Sequence, residues 1–178
     1  MIQNSRKLML TAFVTILFIF VAKAQDNVIK INIFSPIVKT FNIQFEHKLK
    51  ADQSFQLGFF YTGVSSSNTD FRGFGITPEY RFYLSDTEAP AGVYIAPFVR
   101  YQSYTLTNGG DKGTLSLFGG GVIIGKQWIF KKKIAMDLFI GPSYSSGSVK
   151  VTQGNDNFST GIFDGFGLRA GLCLGYAF

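Results

Sequence analysis

Seven ionisable residues sit inside stretches that are otherwise apolar at every second position: Lys30, Glu46, Glu79, Arg81, Arg100, Asp137 and Arg169. Four are cationic and three anionic. Charges interleaved in this way can line a pore as a selectivity ring, or they can lock together as buried ion pairs. Nucleophilic or acid–base catalysis asks for more, because a nucleophile needs a base beside it, usually His. The only His is His47, next to the short turn "KLKADQS" and out of phase with Glu46. It is expected to face outward as a boundary residue, with no Ser–His–acid set around it. One His, one Cys and scattered carboxylates make no metal-ligand cluster. No catalytic residue, metal or cofactor is expected.

Three local motifs carry weaker chemistry. Gly120–Gln127, "GGVIIGKQ", has the spacing of a phosphate loop, but Gln127 replaces the Ser or Thr that would bind magnesium, and β-branched residues continue where a helix should begin. It is expected to be a Gly-rich strand. Lys131, Lys132 and Lys133 fit a tight turn facing lipid phosphates better than a nucleic-acid patch. Asn155, Asp156 and Asn157 offer oxygens to calcium without the spacing of a real site.

The elements that must position the seven charges are strands. Period-two alternation recurs in Val28–Phe34, Phe41–Lys48, Gln53–Gly63, Phe71–Leu84, Val93–Tyr104, Thr114–Phe130, Ile134–Tyr144 and Gly165–Phe178, and no segment shows helical periodicity. Between them, short charged breaks ("KLKADQS", "LSDTEAPAG", "FKKK") alternate with longer ones rich in Ser, Asn, Gly and Thr ("TGVSSSNTDFRG", "TLTNGGDKGT", "SSGSVKVTQGNDNFSTG"). An up-and-down meander with both termini on one side produces that pattern.

Residues 1–24 read as a cleaved secretory leader: Arg6 and Lys7, an apolar run from Leu8, then Ala22-Lys23-Ala24. The run is shorter than the ~20 residues of a spanning helix. Its removal takes the 17 basic residues to 14 against 11 acidic, a net of about +3, so the basic pI gives no case for nucleic acid. Cys173 is alone, so no intramolecular disulfide holds the fold.

Alternation alone does not say which face is inside. A soluble barrel buries its apolar face, and a membrane barrel exposes it. Four features favour the second arrangement. All seven charges share the polar phase and nearly balance. Gly167, Gly171 and Gly175 share it too, leaving room for long polar side chains. Aromatics gather at strand ends (Phe41, Tyr61, Tyr83, Tyr101, Trp128, Tyr144, Tyr176, Phe178), as in the girdles of a bilayer barrel. An exported chain with broad apolar faces and no helices to cover them needs lipid. With about eight strands, the interior is only wide enough for side chains to fill, so a paired ladder is expected over a selectivity ring.

"FEHKL" at Phe45–Leu49, "TPEYRFYL" at Thr77–Leu84, "AGVYIAPFVRY" at Ala91–Tyr101 and "GKQWIFKKKIAMDLFIGPSY" at Gly125–Tyr144 resemble a family of small outer-membrane β-barrels of the Bacteroidota, a domain of unknown function. The resemblance covers nearly the whole chain after the leader, and Pro78–Tyr83 is its most specific part. His47 stands where the family has Arg. The resemblance implies fold and location and no reaction. The ending, with Tyr176 and Phe178, also resembles the C-terminal signal read by the barrel-assembly machinery.

The expected protein is therefore all-β: residues 1–24 a signal peptide, and 25–178 an eight-stranded antiparallel up-and-down transmembrane β-barrel with both termini in the periplasm. A non-enzymatic envelope or surface role is expected, through outer loops that chiefly span Ser145–Gly161 and meet an unidentified extracellular partner. A narrow pore and a lipid-modifying enzyme are the alternatives. Expected partners are outer-membrane lipid and, during insertion, the assembly machinery; Arg169 is expected to pair with Glu79 or Asp137.

Overall fold

The computed structural model describes residues 26–66, 69–108, 111–154 and 164–178, so the leader at 1–24 lies outside the described residues. Eight strands follow in order: β1 (Asn27–Asn32), β2 (Thr40–Lys50), β3 (Gln53–Ser66), β4 (Thr69–Tyr83), β5 (Gly92–Asn108), β6 (Asp111–Phe130), β7 (Ile134–Gln153) and β8 (Gly165–Ala177). Each pairs antiparallel with the next, and β8 pairs with β1 to close the barrel. Closure leaves no sheet edge free along the paired length, which is how an exposed β-sheet avoids templating further strands.

The period-two pattern sorts side chains to two faces. Ile31, Leu57, Ile76, Val99, Ile124, Leu138 and Leu174 point outward and are exposed. Lys30, Glu46, Gln56, Glu79, Arg81, Asp137 and Arg169 point inward and are buried. The interior is layered. Val28, Ala135 and Ala177, with Ile129 against them, form an apolar floor at the end that holds both termini. The charged layer comes next. Toward the far end, Tyr104, Leu115 and Leu117 pack with Phe60, Phe71, Leu106 and Val149. The turn between β4 and β5 folds in against the charged layer, where Ala89 is buried in one cluster with Tyr83 and Tyr94, Pro90 is buried, and the Ala89 N–H donates to Ala51 O at 2.7 Å.

Several strands differ from their expected bounds. β1 stops at Asn32, because the chain turns at Ile33–Phe34 and enters a 3-10 turn at Ser35–Val38, where Pro36 cannot donate to a ladder. Two of the three supposed long loops are instead strand: β3 and β4 stay paired to Ser66–Thr69, and β5 and β6 to Asn108–Asp111. Polar composition reads as loop, yet backbone pairing continues wherever the hairpin stays in register. β7 likewise runs to Gln153, so the first half of Ser145–Gly161 is strand. Asn155, Asp156 and Asn157 lie outside the described residues.

Candidate functional site

The charged layer is assembled from five strands. Lys30 comes from β1, Glu46 from β2, Glu79 and Arg81 from β4, Asp137 from β7 and Arg169 from β8. Each sits on the inward phase of its strand, so a closed barrel brings residues far apart in sequence to one level. Lys30 Nζ lies 2.6 Å from Glu46 Oε2 and 3.0 Å from Asp137 Oδ2. Arg81 reaches the same two carboxylates through Nη1, at 3.3 Å from Glu46 Oε2 and 2.9 Å from Asp137 Oδ2, while its Nε is 2.7 Å from Glu79 Oε1. Arg169 Nη1 holds the other oxygen of Glu79 at 2.7 Å. Three cations and three carboxylates thus form one neutral network, which is the condition for burying ions at tolerable cost.

Neutral side chains complete it. Tyr83 OH donates to Glu46 Oε1 at 2.6 Å, Ser54 Oγ to the same atom at 2.6 Å, and Tyr94 OH to Asp137 Oδ1 at 2.8 Å. Gln127 accepts from both Lys30 and Arg81 and donates onward to the carbonyl of Pro90. The Arg81 guanidinium carbon lies 4.1 Å from the centre of the Tyr94 ring. Among the described residues, Arg81 Nη2 within the network has no hydrogen-bond partner, and nearby both amide atoms of Gln56 have none.

Tyr83 corrects an expectation: it belongs to this interior set and not to an outer aromatic girdle, being 5% exposed. It lies two residues from Arg81, so strand parity already put it inside. The same parity rule would have found Tyr94 and Gln127. Of the three β8 glycines, Gly175 makes the expected room for a long polar side chain, that of Lys30 on β1, whereas Gly171 faces an aromatic ring instead, that of Phe139. Gly167 leaves open space. A recurrent device emerges here: inward aromatics cover the glycine directly opposite on the next strand, as in Phe60–Gly75, Tyr94–Gly125, Tyr104–Gly73 and Phe139–Gly171. Such pairs pin register where a glycine would otherwise weaken it.

Arg100 stands apart from the network. Its Nε donates to Thr77 Oγ1 at 3.1 Å, and its guanidinium carbon faces the Phe98 ring at 5.6 Å. His47 points away from the lumen and bonds Asn27 Oδ1 through Nδ1 at 2.8 Å. Tyr176 is exposed on the outer face, and Phe178 exchanges backbone bonds with Asn27, closing the seam at the terminal end. Gly120–Gln127 is a segment of β6 with no helix after it. Among the described residues no three His, Cys, Asp or Glu side chains come together as a metal-binding set.

With this geometry in view, the chain matches the family described as "Protein of unknown function (DUF3575)" over residues 9–156. It belongs to the DUF3575 family. The match spans β1 to β7, and so includes every residue of the charged network except Arg169. No curated protein and no solved structure matches this DUF3575 chain. What the DUF3575 barrel offers chemically is therefore read from its own residues: a filled, ion-paired lumen and an apolar outer face.

Proposed function

We propose that the protein is an outer-membrane β-barrel of the kind found in the Bacteroidota, exported by a leader cleaved after Ala24, that serves as a non-enzymatic scaffold presenting its far-end hairpins outside the cell. The observation that carries this is the inversion of polarity. Six mutually paired charges fill the lumen, while the outer face is apolar on all eight strands. In water such a face would drive aggregation, and in a bilayer it is solvated.

The dimensions agree. On β6 the outward series from Phe118 through Val122 and Ile124 to Trp128 is apolar apart from Lys126, whose ammonium lies 5.2 Å from the centre of the Trp128 ring near the strand end. About ten residues at ~3.3 Å each, tilted by ~40°, make a band about 25 Å tall, the height expected of a bilayer barrel. Beyond it, β5 to β7 continue outward with Ser103, Thr105, Ser116, Ser146 and Ser148, a polar extension suited to water. At the other end, Lys131–Lys133 form the turn between β6 and β7, where anionic headgroups would meet them.

Cell fractionation tests the proposal. Recovery in the outer membrane, with a mobility on gels that changes on boiling, supports it; recovery in the soluble periplasm overturns it. In planar bilayers the filled lumen should give no stable conductance, and a steady channel would favour the pore alternative.

A further inference from the structure

The barrel wall is low on one side. The β1–β8 ladder runs only from Val28–Ala177 to Asn32–Cys173, with one further bond from the Ile33 N–H to Leu172 O at 3.0 Å. The chain then turns through Ser35–Val38 into β2. β8, however, continues to Gly165 and stays paired with β7 all the way. Among the described residues, none pairs with the β1-facing edge of β8 between Gly165 and Gly171. By antiparallel alternation, the N–H and C=O of Ala170, Leu168 and Phe166 point into this notch, as those of Leu174 point to β1. Its rims are apolar and exposed: Leu168 at 71% on one side, Phe34 at 54% and Ile37 at 77% on the other.

The notch opens inward as well. Gly167 faces the lumen yet is exposed, and among the described residues a Cβ there would meet only Ser143 Oγ, at 3.4 Å. Arg100 and Arg169 share the interior at this side of the charged layer, both guanidiniums facing the Phe98 ring, at 5.6 and 4.4 Å. Arg169 is neutralised by Glu79. No carboxylate among the described residues lies within 4.0 Å of Arg100, so none of them forms an ion pair with it. On the outer face, a groove of about 570 Å³ runs from Phe34 and Ala170 past Ile140 and Leu138. That volume suits a ligand of lipid or drug size.

We propose that this notch binds a long-chain fatty acid, with its carboxylate on Arg100 beside Arg169 and its tail leaving through the notch into the outer groove. A carboxylate supplies Arg100 with an anionic partner, and its planar fork matches a guanidinium. The source is the surrounding bilayer, because the notch opens between the exposed apolar side chains of Leu168, Phe34 and Ile37, which a hydrocarbon tail can line. The inference rests on the membrane placement proposed above.

The test uses full-length protein purified from whichever cell fraction holds it and placed in phosphatidylcholine nanodiscs. Fluorescence of cis-parinaric acid should report saturable binding that oleate displaces and that neither methyl oleate nor inorganic phosphate displaces. Arg100→Gln should weaken binding about tenfold or more, the loss expected for one charge-assisted pair. Gly167→Leu, which fills the opening, should do the same, and Lys50→Gln, exposed at the end of β2 and outside the groove, should not. If Arg100→Gln does not fold, Thr77→Val removes the hydroxyl that holds the guanidinium and carries the same expectation. Equal displacement by methyl oleate, displacement by phosphate, or unchanged binding in Arg100→Gln overturns the proposal. Membrane-inserted protein that does not bind overturns the site alone, whereas a soluble protein that binds overturns the membrane placement and keeps the site.

Discussion

Arg169 and Glu79 meet across the lumen at 2.7 Å although 90 residues separate them in the chain. Glu79 is held from its other side by Arg81, so Arg169 is the outermost link of a network that runs from β8 through β4 to β1, β2 and β7. Of its two candidate partners, Glu79 and Asp137, the geometry selects Glu79. Asp137 is already engaged by Lys30, Arg81 and Tyr94.

Breaking that link should be costly but not fatal. Arg169→Leu leaves Glu79 with one cation in place of two, and a loss of about 2–3 kcal/mol is expected, below the 3–5 of a fully orphaned buried ion. Urea unfolding of barrel refolded in detergent reads it directly. The double variant Arg169→Leu with Glu79→Gln should recover part of the loss. An unchanged midpoint for Arg169→Leu would contradict a structural role for the pair.

Lys30 is more central, since it bridges Glu46 and Asp137 while fully buried. Lys30→Met should cost about 3–5 kcal/mol. Lys48 offers the comparison: it pairs with exposed Glu88 at 2.8 Å, and Lys48→Met should cost less than about 1 kcal/mol. Similar losses for the two variants would mean that the lumen is wet and its charges screened.

The aromatic–glycine pairs make a prediction that is independent of charge. A Cβ on Gly125 would stand 2.5 Å from the Tyr94 ring and 2.8 Å from the carbonyl of Leu138, so Gly125→Ala should destabilise by about 1–3 kcal/mol through overpacking. On Gly63 the nearest atom would be Tyr61 Cε1 at 3.8 Å, and Gly63→Ala should be close to neutral. Thermal unfolding of both variants separates the cases; equal behaviour would remove the packing role assigned to Tyr94.

The strands and their inward phase were legible because alternation of Lys30, Glu46, Arg81 or Asp137 with large apolar residues is a strong local signal. Position along the barrel axis was not legible. It depends on the stagger between strands, so Arg169 could be placed inside but not matched to Glu79. Tyr83 suits a girdle by chemical type and by its place near a strand end, yet its parity with Arg81 puts it indoors. The hairpin arms around Ser66–Thr69 and Asn108–Asp111 were hidden because their Ser, Asn and Gly content resembles loop while cross-strand pairing holds them as strand. The notch beside β8 follows from the unequal lengths of β1 and β8, a relation between two distant segments that neither displays alone.

The inverted polarity is the centre of the account, and the single tryptophan, Trp128, reports on it directly. It sits on the outward phase of β6, beside the turn at Lys131–Lys133. In vesicles of lipids brominated at graded depths, Trp128 fluorescence should be quenched most by bromines close to the headgroups and less by those at the bilayer centre. Fluorescence that no brominated lipid quenches, in protein shown to be folded, would mean that the apolar face is not in contact with lipid and would contradict the account.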